Sequence, residues 1–222
     1  MRILPKTFIG DKGGARVFGI IRGMSRKIDH EQRKQEIARK ALRLFSQVGY
    51  ENVSLIMIAA DTGVSRTVLY RYFCSKREIL DAAILAALAE VEAESHAILL
   101  TRGTAMEKLE RICHAIVDQM FAKREFVVAV FDYVLGMVRI GADMNRNIGE
   151  YTSGTLQVIR RLVEHAIRHR ELPSGLDIDR IADVIYSEFE SYAMRIVLRT
   201  ERDSSAAKVR FSDILHAISL WK

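Results

Sequence analysis

Between residues 54 and 76 the sequence places Ser54, Ser65, Arg66, Thr67, Tyr70, Arg71, Tyr72 and Lys76, with Asp61 as the single acidic residue in that stretch. Hydroxyls, guanidiniums and an ammonium at this density donate hydrogen bonds and carry positive charge. Such a set suits phosphate oxygens and the edges of bases, not the making or breaking of covalent bonds. Elsewhere no glycine-rich phosphate loop, paired-carboxylate motif or nucleophile–base constellation stands out. No catalytic residue is assigned, and an enzyme is the disfavoured alternative. His165 and His169 lie four apart on a helical stretch, but Arg168 and Arg170 flank them and no third ligand is near in sequence, so neither a metal nor a cofactor is expected. His96 and His114 stand alone. Cys74 and Cys113 are too few and too far apart for a disulfide scaffold; they fit a reducing cytoplasm, Cys74 as buried filler with a redox-sensitive thiol as the rarer alternative.

The elements that must position these groups are helices. Two prolines in 222 residues leave room for long uninterrupted helices, and strand-like alternation is hard to find, so the expected fold class is all-α. Ile37, Ala38, Ala41, Leu42, Phe45 and Val48 form one apolar stripe, closed by Gly49. Ser54 can cap a short helix, Leu55 to Thr62, that Gly63 ends. Ser65 can cap the next, to about Tyr72, with Val64 and Leu69 as a hydrophobic staple. Ser75 to Glu78 reads as a capping box opening a long fourth helix to about Leu100. Two short capped helices joined at a glycine make a helix-turn-helix, whose second helix enters the major groove of DNA and here offers Arg66, Thr67, Tyr70 and Arg71. Phe73 is read as core and Arg77 as a solvated helix residue.

On these residues the sequence resembles the TetR family: Ile58-Ala59, Gly63-Val64-Ser65, Leu69-Tyr70, Tyr72-Phe73 and Ser75-Lys76, after the stripe from Ile37 to Gly49 and before Leu80. The resemblance covers about residues 31–85. It implies that Ser54 and Lys76 hold phosphates at the edges of the motif, that Tyr70 and Tyr72 place hydroxyls on the DNA backbone, and that Arg66, Thr67 and Arg71 read bases. Ser65 belongs to the same DNA-binding set. Thr67 stands where the family often has glycine, Val68 where serine or threonine is frequent, and Ile56 and Met57 where polar residues are usual. Val68 either meets a thymine methyl or packs. These departures keep one alternative open, a protein-binding adaptor whose helix-turn-helix no longer touches DNA.

The charge is divided along the chain. Residues 1–23 hold five basic and one acidic residue, residues 24–77 eleven and five, and residues 78–222 eighteen and twenty-two. A basic first third on an acidic remainder suggests a polyanion partner, with a solvated basic face as the alternative that charge alone leaves open. Residues 1–28 read as an irregular basic arm, either lying upstream of a true start at Met24 or adding DNA contacts. Residues 29–85 are the expected DNA-binding domain and 86–222 a helical effector-binding and dimerisation domain, with helices at roughly 104–122, 124–139, 143–171, 177–201 and 205–220, about nine in all. Gly149 and Gly154 weaken the expectation that 143–171 is continuous. No apolar run approaches a membrane span, and no signal peptide is recognised.

The run Phe126 to Val138 is apolar on nearly every face and belongs at the centre of a bundle. The resemblance implies a cavity there for a small hydrophobic effector, with Met120, Phe121, Phe131, Tyr133, Met137 and Tyr151 as candidate lining, although core packing explains the same residues. It also implies a homodimer through the last two helices, whose stripes run through Ile181, Ile185, Phe189, Tyr192 and Ile196, then Ile214, Leu215, Ile218 and Trp221. The expected whole is a ligand-responsive repressor, cytoplasmic, gripping a pseudo-palindromic operator in double-stranded DNA.

Overall fold

The computed structural model describes residues 13–141 and 144–221, with side chains described over 30–141 and 152–221. Among these residues there are nine helices and no strand, as an all-α reading requires.

The first helix, α1 (Gly13–Val48), starts earlier than the sequence suggests. The irregular arm expected over residues 1–28 is therefore helical from Gly13 on; residues 1–12 lie outside the described residues. Nucleation is the costly step of helix formation. Once α1 is held by its packed half, each added residue costs only its propensity, about 1 kcal/mol for a glycine relative to alanine. Gly14, Gly19 and Gly23 do not stop it. Downstream, Ile37, Ala38, Ala41 and Phe45 are all but fully buried. Gly49 ends α1 in the left-handed region (φ +88°), its N–H donating to Phe45 O at 2.9 Å.

Two short helices follow, α2 (Leu55–Thr62) and α3 (Arg66–Tyr72), then the long α4 (Lys76–Leu99). Their buried residues, Ile58 and Leu69 with Phe73, Ile79 and Leu80, close on the α1 stripe to form a small head core. The remaining helices build the body: α5 (Ala105–Ala122), α6 (Arg124–Arg139), α7 (Met144–Arg168), α8 (Ile178–Val197) and α9 (Ser205–Ser219). A second core runs from Ile98 to Ile218, with Ile112, Val163, Ile185, Tyr192 and Phe211 near its centre. α7 passes through Gly149 and Gly154 without a break, because two glycine penalties are small against the burial of Ile159, Leu162, Val163 and Ala166 on one side of the helix.

Two elements belong to both cores. α4 gives Ile79, Leu80, Ala83 and Ile84 to the head and Ile98 to the body. α6 gives Ala129 and Tyr133 to the head and Val127 to the body. The body itself is pinned by polar contacts as well as by packing. Glu171, in the turn after α7, accepts the N–H groups of Ala105 and Met106 at 3.0 and 2.9 Å and so caps α5. Arg210 on α9 donates to Glu188 on α8 (2.7 Å) and to Glu201 (3.0 Å). His114, alone in the sequence, places Nε2 at 3.2 Å from both Ser212 Oγ and Lys208 O on α9.

Candidate DNA-reading face

The two short helices are fixed by caps. Ser54 and Ser65 stand at N-cap positions with extended backbones, and their hydroxyls accept the N–H groups of Met57 (3.3 Å) and Val68 (3.2 Å). Between them Gly63 takes φ +70° and its N–H reaches back to Ala60 O, while Val64 N–H reaches Ala59 O at 3.1 Å. No atom lies within 4 Å of a Cβ built on Gly63. The glycine is needed for its left-handed backbone, not for space. Thr62, buried in the turn, satisfies its hydroxyl on Ile58 O at 2.7 Å. With Val64 half-buried and Leu69 fully buried, α3 can turn only its other side outward.

That side carries Arg66, Thr67, Tyr70 and Arg71, all exposed, Tyr70 by 53%. Among the described residues no ion pair engages Arg66 or Arg71, so their guanidiniums remain available to an anion. The cap at the start of α3 leaves a helix N-terminus, which favours phosphate, at the same place. Val68 is half-buried.

The remaining predicted residues are placed differently. Ser54 and Ser65 are exposed, each with its hydroxyl oxygen already accepting its cap bond. Tyr72 is half-buried, its ring 4.5 Å from that of His30 on α1. Lys76 is engaged inside the head: Nζ donates to Tyr50 O (2.8 Å) and Glu51 O (3.0 Å), lies 3.3 Å from Glu51 Oε2, and stands over the Tyr50 ring. Lys76 thus ties the start of α4 to the turn between α1 and α2. Arg77, read as solvated, is half-buried; it pairs with Asp81 at 2.8 Å and stacks on Tyr133. Cys74 is exposed, not buried filler: Phe73 takes the inward position in the turn between α3 and α4, and Cys74 N–H donates to Glu78 Oε2 at 2.8 Å. The capping box at α4 therefore closes one residue early, on Cys74 rather than Ser75.

The candidate effector-pocket residues among the described ones divide between the two cores. Met120, Phe121 and Phe131 are half-buried against the body core, whereas Tyr133 and Met137 pack in or on the head core; the side chain of Tyr151 lies outside the described residues. A groove of about 640 Å³ lies between α1, α4 and the junction of α5 with α6, bordered by Arg39, Arg43, Ala83, Ala87, Lys123 and Phe126; none of the five described candidates lines it. His165 and His169 are exposed and stack on each other at 4.2 Å.

Sequence reading missed His30 and Asp132. His30 lies seven residues before the apolar stripe that defines the head part of α1, and Asp132 is the one acidic residue within the apolar run of α6. The second is a signal, since a carboxylate in such a run calls for a partner. It has one: Asp132 Oδ2 accepts the N–H of Tyr50.

A capped helix-turn-helix with an exposed, basic second helix defines a DNA-binding head on an all-helical body. Residues 37–83 match the family model described as bacterial regulatory proteins, tetR family. Over this domain the chain is similar to the tetR family of bacterial regulatory proteins. It is similar to the HTH-type transcriptional regulator SrpR of Pseudomonas putida, 27% identical over 158 residues that span 70% of this chain and 71% of SrpR. It is 33% identical over 86 residues to the HTH-type transcriptional regulator HbdR of Aromatoleum sp., 39% of this chain and 36% of that protein. The fold extends to the whole body: the transcriptional regulator FadR from Bacillus subtilis, solved in complex with stearoyl-CoA, superposes with a TM-score of 0.70 at 19% identity, covering 83% of this chain and 97% of that one. Among the described residues no helix is long and apolar enough to cross a membrane.

Proposed function

We propose that this protein is a cytoplasmic, ligand-responsive repressor that grips a pseudo-palindromic operator as a homodimer. The observation that carries the reading is the outward set Arg66, Thr67, Tyr70 and Arg71 on a helix whose start, turn and inner side are all fixed. A rigid helix with free guanidiniums and hydroxyls reads base edges, and each good arginine–guanine pair discriminates by about 1–3 kcal/mol. Ser54, Ser65 and Tyr72 stand at the margins of this face, where they meet phosphates; Lys76 contributes by holding the turn beneath it. The arms of the dimer are the α8–α9 pair. The effector is a small hydrophobic molecule bound in the body, with Met120, Phe121 and Phe131 as its contacts. The stearoyl-CoA bound to the B. subtilis FadR supports an effector with a long apolar part.

A second reading, the protein-binding adaptor, is favoured by one observation: Ile56 and Met57 on α2 are exposed, by 48% and 37%. Selection of bound fragments from random duplex DNA, followed by footprinting, separates the two. The regulator protects a two-fold site, with affinity falling steeply as salt rises because phosphate contacts release counterions. Arg71→Ala then weakens that site about 100-fold or more, since the homodimer loses one arginine contact at each half-site. Failure to enrich any sequence, with binding insensitive to salt, gives the adaptor.

A further inference from the structure

The turn joining α1 to α2, Gly49-Tyr50-Glu51, sets the direction in which the DNA-reading pair leaves the first helix. It is held from two sides. From α4, Lys76 Nζ bonds the carbonyl oxygens of Tyr50 and Glu51. From α6, Asp132 Oδ2 accepts Tyr50 N–H. The same carboxylate oxygen lies 3.5 Å from where a Cβ on Gly49 would stand. One turn further along α6, a Cβ on Gly136 would stand 3.2 Å from Glu51 Oε1. The Tyr133 ring meets the Tyr50 ring edge-on at 5.0 Å, and the Arg77 guanidinium covers Tyr133 at 4.8 Å. The joint is thus seated on α6, an element whose other face carries Val127 and Phe131 into the body.

The α4 grip moves with the head, since Lys76 follows α3 by four residues and starts the helix that packs in the head core. The α6 grip is different in kind. α6 is separated from α4 by all of α5, so its hold on the joint is a tertiary contact, made by the Asp132 bond beside the packing of Ala129 and Tyr133 in the head core. Of the α6 contacts, packing of Tyr133 and Gly136 has no fixed direction. A hydrogen bond from a backbone N–H to a carboxylate fixes both distance and angle.

We propose that Asp132 is the positioning residue that fixes the orientation of the DNA-reading head on the body, by bonding Tyr50 N–H at the α1–α2 joint. The proposal rests on the DNA-binding homodimer reading and deepens it. A dimer gains affinity for a two-half-site operator only in so far as the second head is already aimed when the first has bound. Asp132 aims it. Loss of the bond leaves the head core packed, Ala129 and Tyr133 included, but loosens the aim of the head on the body, so binding to one half-site is kept and the gain from the second is lost.

The test uses the full-length protein, the selected operator duplex, and the same duplex with one half-site scrambled. Wild type, Asp132→Ala and Asp132→Asn are compared by fluorescence anisotropy, with thermal melts to establish that all three are folded. Asparagine keeps an acceptor oxygen at the same reach; alanine keeps none. Asp132→Ala is expected to lose about ten-fold or more on the operator and less than two-fold on the half-site duplex, with Asp132→Asn close to wild type on both. Equal losses on the two duplexes would make Asp132 a prop for the head itself, and no loss on either would make the bond idle; both outcomes overturn the proposal. Wild-type protein that binds neither duplex would remove the DNA-binding reading and this inference with it, an outcome distinct from the other two.

Discussion

Tyr133 shows how one buried side chain in an apolar run can serve either of two neighbourhoods, a cavity wall or a packed core, that the sequence alone does not separate. Its place in an apolar run on α6 suggests a ligand-lining residue of the body, yet it lies 5% exposed in the head core, edge-on to Tyr50 and beneath Arg77. Its hydroxyl is buried and has no hydrogen-bond partner among the described residues. A buried, unbonded hydroxyl loses its water without compensation, at a cost of about 1–3 kcal/mol. Tyr133→Phe removes that cost and keeps the ring. The variant is expected to be more stable than wild type by about 1 kcal/mol, read as a higher urea midpoint at unchanged slope. A lower midpoint would mean that the hydroxyl is bonded in solution. Tyr50, by contrast, keeps its proton more firmly than usual: burial and then the Glu51 charge push its hydroxyl up to about 12, so it stays neutral under Lys76 and serves the head as a packed ring.

At the level of elements, what was legible in the sequence was local. Ser54, Gly63 and Ser65 act on backbone groups within four residues of themselves, so their types and spacing were enough to place α2 and α3. The contacts that join elements were not legible, because their partners lie 66 residues away for Glu171 and Ala105, 82 for Asp132 and Tyr50, and 98 for His114 and Ser212. No period in a sequence records such a distance. Glu171 gives the sharpest test of one of them. Burial by itself would raise its carboxyl pKa, but the N–H groups of Met106 and Ala105 outweigh that and hold it below the usual value of 4.5. A lowered pKa means that the folded state prefers the charged form. The contribution of Glu171 is therefore full above the unfolded value and fades as pH falls through the folded one. Glu171→Gln is expected to cost about 1 kcal/mol at pH 7, the lower part of the capping range because solvent screens a half-exposed group. The difference from wild type should shrink as pH drops below 4.5. A urea series from pH 7 to pH 3 checks it; a pH-independent difference would mean that the cap owes nothing to charge.

For the molecule as a whole, the question is which apolar surface is left over once both cores are filled. The stripes along α8 and α9 that suggested an interface in the sequence are mostly spent inside the chain: Ile181, Ile185, Phe189, Tyr192, Ile196, Leu215 and Ile218 are buried. A stripe wide enough to serve two surfaces cannot be divided between them from sequence alone. What remains outside is a second set, Val184, Met194 and Leu198 on α8 and at its end, with Val209, Leu220 and Trp221 on and after α9, exposed by 39% to 65%. At about 100° per residue the first three lie within an arc of about 80°, and Val209 and Leu220 fall about 20° apart, so each helix offers one outward apolar strip rather than scattered side chains. Ser187 and Ser191, small and on the same arc of α8, let a partner helix approach closely. Arg210, held by Glu188 and Glu201, locks the two helices together and keeps the strips in a fixed relation. Two strips on one rigid pair offer an apolar surface for the two-fold interface proposed above, where each partner would bury about 800 Å². A charge at its centre should break it. Met194→Glu is expected to turn a dimer into a folded monomer by light scattering after gel filtration, with an unchanged helical spectrum. The same variant should keep half-site binding and lose the two-fold footprint, since the heads would no longer be counted in pairs. A dimer that survives both Met194→Glu and Val209→Glu would place the interface on another face, and the spacing of the half-sites would then have to be explained from that face instead.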